Sequence, residues 1–212
     1  MQSGFYGFPP GRILKSTTFY SSGYFGVPLG VHTVWLTGAA PGGGGGRFFV
    51  NSGGAITLSY SGGGGAGEHT FRQPLNVISG ILIPVAIGTA GASGASGGNI
   101  SFGDLLTLSG GEAGGSHSQT TGSTVSGLRL AGGKYHGQPS AAHGKGGDSP
   151  WGKGGILTGI APLAVNTTGV TGTGYAAGGS GCYAESLSSA GTSIEGGAGL
   201  PGFITVEWFE DF

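Results

Sequence analysis

The sequence is poor in nearly everything that usually charges, staples or anchors a protein. Only 8% of its 212 residues are charged and the net charge is −1, so nucleic acid is not expected as a partner. Cysteine occurs once, as Cys182, which excludes an intrachain disulfide frame and a cysteine-only metal site. There are 10 prolines, too few for collagen, whose strict glycine triplet is also missing. The best apolar run, Ile81–Ile87, is interrupted by Pro84 and falls far short of the ~20 residues of a membrane span, so no insertion is expected. Met1-Gln2-Ser3 opens no basic, apolar secretory leader; export, if it occurs, is expected by another route.

What the chain has is glycine, 53 residues of it, several times ordinary usage. Between about Gly88 and Gly199 it punctuates the sequence every few residues. Each interior glycine costs a helix roughly 1 kcal/mol relative to alanine, which excludes helix there. Ordinary sheet is disfavoured too, because glycine brings nothing to pack. Two readings remain. The block is a flexible linker, or its backbones pack directly on one another as polyproline II, which has three residues per turn. Gly91, Gly94 and Gly97 keep a period of three, as do Gly169 and Gly172, then Gly178 and Gly181. Low charge and a mean hydropathy of +0.14 argue against disorder, and the packed reading is preferred.

Around the block the pattern is β. Residues 1–11 read as a lead-in from something upstream, and 12–212 as one glycine-rich domain. Arg12–Tyr20 and Tyr24–Pro28 are strand candidates. Val31–Thr37 carries bulk on both faces and is expected at the centre of a sheet. Pro41 and the run Gly42–Gly46 are read as its end. Arg47–Val50 and Ala55–Tyr60, joined by Asn51-Ser52-Gly53-Gly54, predict a hairpin. Glu68–Arg72 follows a second glycine run; Ile81–Ile87 is a buried strand candidate, and Asn99–Leu108 another. Gly127–Leu130 and Ile156–Val165 keep some strand character. Phe203–Phe209 alternates cleanly, and so regular a strand needs a ladder partner; the region around Val34–Leu36 is the expected one. The fold expected is all-β and irregular: a sandwich-like domain with its terminal strands paired, polyproline-II-like glycine segments and essentially no helix.

Several stretches carry a resemblance. Gly11–Leu14, Phe19–Gly23, Val27–Val31, Val34–Gly38 with Gly42–Gly46, Ser101–Gly103 with Leu108–Gly111, and Gly199–Trp208 together resemble the glycine-rich C-terminal tip domain of bacteriophage-type tail-fibre proteins. The resemblance implies a distal adhesin, part of a trimeric fibre, that contacts a bacterial surface glycan or outer-membrane protein. It also implies a location at the tip of a virion fibre or of a bacterially encoded fibre-like appendage. Some relatives form a sandwich of polyproline-II helices with binding loops at one end. Here Ile81–Ile87 and Ile160–Val165 interrupt the glycine runs, so a β-rich core with glycine-rich loops stands beside that architecture.

Catalytic signatures carry little weight. Gly62-Gly64-Gly67 and Gly197-Gly199-Gly202 match G-x-G-x-x-G, but neither opens a helix. Gly94–Gly98 spells G-x-S-x-G without the strand and helix of a nucleophile elbow. The histidines His32, His69, His117, His136 and His143 show no close metal spacing. Nothing pairs Glu112 with Asp148 as a glycosidase would. No catalytic residue, metal or cofactor is expected. One cluster stands out: Lys134-Tyr135-His136, His143, Lys145, Asp148 and Trp151-Gly152-Lys153. Rings and cations in glycine-rich loops suit recognition of a sugar or a protein loop. Tyr135, His136, His143, Lys145, Trp151 and Lys153 are therefore the candidate ligand-binding residues, though Tyr135 and Trp151 equally suit plugs between bare backbones. Ser116–Thr121 and Thr167–Tyr175 are polar loops assigned to the same face. A structural fibre component without a ligand, and less readily a polysaccharide depolymerase, are the alternative functions.

Overall fold

In the computed structural model, residues 11–50, 54–119, 124–126, 134–135, 138–139, 144–157, 166–187, 189 and 191–211 are described. Among them there is no helix. The early strands are β1 (Arg12–Phe19), β2 (Gly23–Gly26), β3 (Thr33–Ala39), β4 (Phe48–Val50), β5 (Ala55–Tyr60) and β6 (His69–Asn76). Next come β7 (Leu82–Ile87), β8 (Ile100–Phe102), β9 (Leu106–Leu108), β10 (His117–Gln119), β11 (Thr124–Ser126), β12 (Lys134–Tyr135) and β13 (Gln138–Pro139). The last are β14 (Gly152–Lys153), β15 (Thr173–Gly174), β16 (Tyr183–Leu187), β17 (Thr192–Ile194) and β18 (Phe203–Asp211).

Alternation builds a sandwich from two four-stranded sheets, ordered β1-β18-β3-β6 and β2-β7-β8-β9. The terminal strand closes on the early sheet as its pattern requires: β18 lies between β1 and β3, with Val206 opposite Leu36 and Thr17. β3 is central, and its Val34 and Leu36 are buried with Ile204 and Val206. From the other sheet Phe25, Ile83, Val85, Ile100 and Phe102 complete this core, and Phe25 meets Trp208 across it at 5.3 Å. β7 is buried on one face only, with Leu82 outside. Asn99–Leu108 is two strands, not one, because Gly103 turns the chain at φ +49°.

The glycine segments carry no strand, yet every backbone group of 42–46 is engaged. The N–H groups of Gly42 and Gly45 donate to Leu200 and Gly197, those of Gly43 and Gly46 to Gly65 and Gly62, and that of Gly44 to Ala95, at 2.7–2.9 Å. Residues three apart thus address the same neighbour, as three residues per turn dictate. The carbonyls accept in turn from Gly91, Gly179, Gly114, Gly94 and the Ser61 hydroxyl at 2.7–3.0 Å. So 42–46, which reads in sequence as the end of β3, is a polyproline-II rod at the centre of a bundle. The 176–181 rod is a second centre, bonded to 42–46, 61–67, 144–147, 154–157, 168–172 and 195–200.

Only glycine allows this spacing. A Cβ on Gly44 would sit 1.8 Å from the Ala92 oxygen, and on Gly45 1.8 Å from that of Ser180. With few and only small side chains between rods, hydrogen bonds and backbone contact do the work that a hydrophobic core does elsewhere.

The rods connect the sandwich to a second, smaller core of Phe48, Val50, Ile56, Cys182, Ala184, Leu187 and Ile194. This explains why the expected 47–60 hairpin is not one. β4 and β5 prolong rods and take partners from the rods around them: β4 lies between β10 and β17, and β5 between β11 and β16. Two of these pairs, β10 with β4 and β11 with β5, are parallel. Burial here pushes the Cys182 thiol up, despite its contact with Ser61. Of the two later strand candidates, 127–130 and 158–165 lie outside the described residues, and 156–157 are not strand.

Gly44→Ala is expected to cost more than about 3 kcal/mol or to prevent folding, since backbone rather than a movable side chain blocks the methyl. Gly23→Ala, whose Cβ would meet the Phe19 ring at 3.7 Å, should stay within about 1 kcal/mol of wild type. Thermal unfolding followed by circular dichroism measures both.

Candidate functional site

The turn between the 144–147 and 154–157 rods brings Trp151 against the sandwich. Ser149 shapes it: its hydroxyl donates to the Tyr175 carbonyl at 2.5 Å and accepts from the Trp151 N–H at 3.2 Å. The Tyr175 N–H donates to the Trp151 carbonyl at 3.1 Å, and Gly152 pairs with Gly174. Gly174 is obligatory, with φ +85° and a would-be Cβ 2.1 Å from the Trp151 oxygen.

Trp151 is half-buried and lies in a cluster of rings rather than between bare backbones. Phe71 stands 4.7 Å from it, tilted by 32°. Phe203 meets Trp151 edge-on at 5.2 Å, and Tyr175 lies 5.3 Å from the Phe203 ring. Tyr20 lies 5.7 Å from Tyr175, and His69 flanks Phe71 and Trp151 at 5.6 and 6.0 Å. Phe203 is the buried floor, whereas Tyr20 is 62% exposed, Phe71 59% and Tyr175 36%. Trp151 therefore plugs with one edge and contributes to an open aromatic surface.

Backbone strain accompanies two of these rings. Among the described residues only Arg72 (φ +41°) and Ala176 (φ +60°) are left-handed without being glycine, and they follow Phe71 and Tyr175 directly. Such conformations cost on the order of 1–3 kcal/mol and persist where surroundings fix them. Arg72 is fixed by its N–H bond to Thr37 Oγ1 at 3.0 Å and its ion pair with Glu207 at 3.2 Å.

Lys145 and Lys153 converge on one carboxylate. Asp148 Oδ2 lies 3.0 Å from Lys145 Nζ and 3.4 Å from Lys153 Nζ, and its Oδ1 accepts from the Gly154 N–H at 2.9 Å. Partial burial works against ionisation of Asp148, but the Gly154 N–H and the two ammonium groups together hold its carboxyl below the usual range. The Lys153 side chain is 78% exposed.

The structure thus joins Trp151, Lys145 and Lys153 around one turn. Gly144 sits at the other end of its rod, where Gly181 donates to it at 2.6 Å. The six residues from Tyr175 to Gly181 span about 19 Å at 3.1 Å per residue. The Tyr135 backbone pairs with Gln138, while the Tyr135 side chain, His136 and His143 lie outside the described residues. Ser116 accepts from the Arg47 N–H near the second core; the 167–175 stretch starts at that core, where Thr167 pairs with Tyr183, and ends in the ring cluster at Tyr175, while residues 120–121 lie outside the described residues. Tyr20, Phe71 and Phe203 were not evident in sequence, because nothing local ties the ends of β1, β6 and β18 to residue 151. Among the described residues no three His, Cys, Asp or Glu side chains gather as a metal would need, and no helix is long and apolar enough to cross a membrane.

Comparison with protein-family models finds no match, and a search of curated proteins finds none either.

Because the folded pKa of Asp148 is depressed, its contribution to stability is full above the ordinary carboxylate pKa of about 3.9 and is lost as pH falls through the folded value. Asp148→Asn should lower Tm by about 2 °C at pH 7, the modest size expected of a partly exposed pair. That gap should close progressively on acidification below pH ~4, which calorimetry at stepped pH would reveal.

Proposed function

We propose that this chain is a non-enzymatic adhesin, the receptor-binding tip of a phage-type tail fibre, directed at a bacterial surface glycan or outer-membrane protein. The open aromatic surface of Tyr20, Phe71, Trp151 and Tyr175 carries this reading. Rings held in place by a rigid frame offer large amphipathic contact area at small entropic cost. A surface ligand meets them without entering a cleft, as suits a tip that must engage an intact cell. Lys153 adds an exposed cation beside Trp151, and Lys145 braces the turn through Asp148. Tyr135, His136 and His143 remain further candidate contacts. The sequence resemblance supplies the setting: a virion fibre tip, or a fibre-like appendage, working as a homotrimer. In a trimer, three weak contacts would sum to an avidity well above any one of them.

Fluorescently labelled protein should bind intact cells of some strains in a Gram-negative panel. Trp151→Ala should weaken that binding at least tenfold while retaining a cooperative unfolding transition. Wild-type protein that binds no strain would favour a structural fibre component. Release of reducing ends from surface polysaccharide would favour a depolymerase.

A further inference from the structure

We infer that the ligand of the aromatic surface is a linear glycan, laid across the exposed rings of Tyr20, Tyr175, Trp151 and Phe71. This deepens the adhesin reading and rests on it. The exposed rings form two pairs, Tyr20 with Tyr175 at 5.7 Å and Trp151 with Phe71 at 4.7 Å, and the buried Phe203 joins them from beneath at 5.3 Å from Tyr175 and 5.2 Å from Trp151. Five separate parts of the chain supply them, namely the residue after β1, β6, the Ser149–Trp151 turn, the residue after β15, and the start of β18. An open surface of rings, rather than a pocket, fits an extended chain.

The chemistry along its borders suits a sugar. A pyranose has an apolar C–H face and a rim of hydroxyls. Its polarised C–H groups are drawn to the negative face of an aromatic ring, and its rim needs donors and acceptors nearby. Those are present: the phenol hydroxyls of Tyr20 and Tyr175, the Lys153 ammonium with Asp148, and the Arg72–Glu207 pair. Another exposed apolar area among the described residues differs in kind. Ile78, Ile81, Leu82 and Leu105 line a groove of about 440 Å³ on the second sheet, an aliphatic surface without rings.

The two left-handed residues bear on the same point. Arg72 and Ala176 set the backbone directly after Phe71 and Tyr175, and strain retained beside exposed side chains marks positions held for a purpose other than packing. Because each ring contact is weak, affinity should grow with chain length.

The test uses a strain that the wild-type protein binds. Cells are treated with periodate, which cleaves sugar diols, or with proteinase K. Binding should disappear after periodate and survive the protease. Loss after the protease assigns a protein receptor and overturns the inference, as does indifference to periodate. Lipid-free polysaccharide released from the same strain by mild acid should shift the tryptophan emission. Its size fractions should bind at least tenfold more tightly from the shortest to the longest. Tyr20→Ala and Phe71→Ala, both at well-exposed positions, should each weaken that binding at least fivefold, and Leu82→Ser in the aliphatic groove should not. Equal affinity for all fractions, or binding unchanged in both ring variants, contradicts the glycan reading. Wild-type protein that binds no strain at all defeats the adhesin reading itself, and the two failures are thereby told apart.

Discussion

Everything in this molecule depends on a missing atom. Where two rods touch, one backbone occupies the place that a Cβ would take on the other, at separations near 2 Å for Gly42 to Gly46. That closeness brings the N–H and C=O groups of neighbouring rods within hydrogen-bonding reach, and each group of the 42–46 rod finds a partner. A buried backbone without side chains is otherwise untenable, since each unpaired polar group would cost on the order of 1–3 kcal/mol. Glycine's own handicap, the large entropy lost on ordering, is offset by the number of bonds and contacts that one rod makes with five or six neighbours.

The same constraint organises the rest. Rods are short and cannot terminate themselves, so they run into strands. The sandwich finishes them at one end and the Phe48–Ile194 core at the other. Buried serines complete the polar accounting: Ser61 accepts from the Cys182 N–H at 2.6 Å, and Ser180 from that of Val170 at 2.7 Å. The scarcity of charge follows as well, because a bundle of bare backbones leaves few positions for a long side chain. Turns leaving the sandwich end of the bundle are held at both feet. The aromatic surface is assembled there, from residues 20 to 203, without a helix or a disulfide to position it.

Much of the sandwich was legible in the sequence because alternation carries it. Val34 and Leu36, and Ile204 with Val206, declare both their faces and their need of each other, and they pair as the pattern implies. The rods were legible as a period of three in Gly178 and Gly181, whose N–H groups address Gly147 and Gly144; Gly91-Gly94-Gly97 has the same spacing, but the chain turns there, with Gly94 at φ +70°. The central rod was not, because Gly42–Gly46 after a strand reads locally as a terminator. Its role is fixed by five neighbours remote in sequence. The hairpin expected at 47–60 failed for the same reason: its turn signal is local, and the partners of β4 and β5 are chosen by the bundle. Trp151 was visible as an exposed-loop aromatic beside lysines, and it does lie beside them. Its companions Tyr20, Phe71 and Phe203 were hidden, since their meeting is a property of topology and no spacing encodes it.

Amide hydrogen exchange read glycine by glycine tests the central claim most directly. If bare backbones form a solid, the N–H groups of Gly43 to Gly46 and Gly178 to Gly181 should open only with global unfolding, exchanging at least about 10⁴-fold more slowly than free peptide. Exchange of those amides within tenfold of the free-peptide rate, while the Val34–Leu36 and Ile204–Val206 amides stay protected, would contradict it.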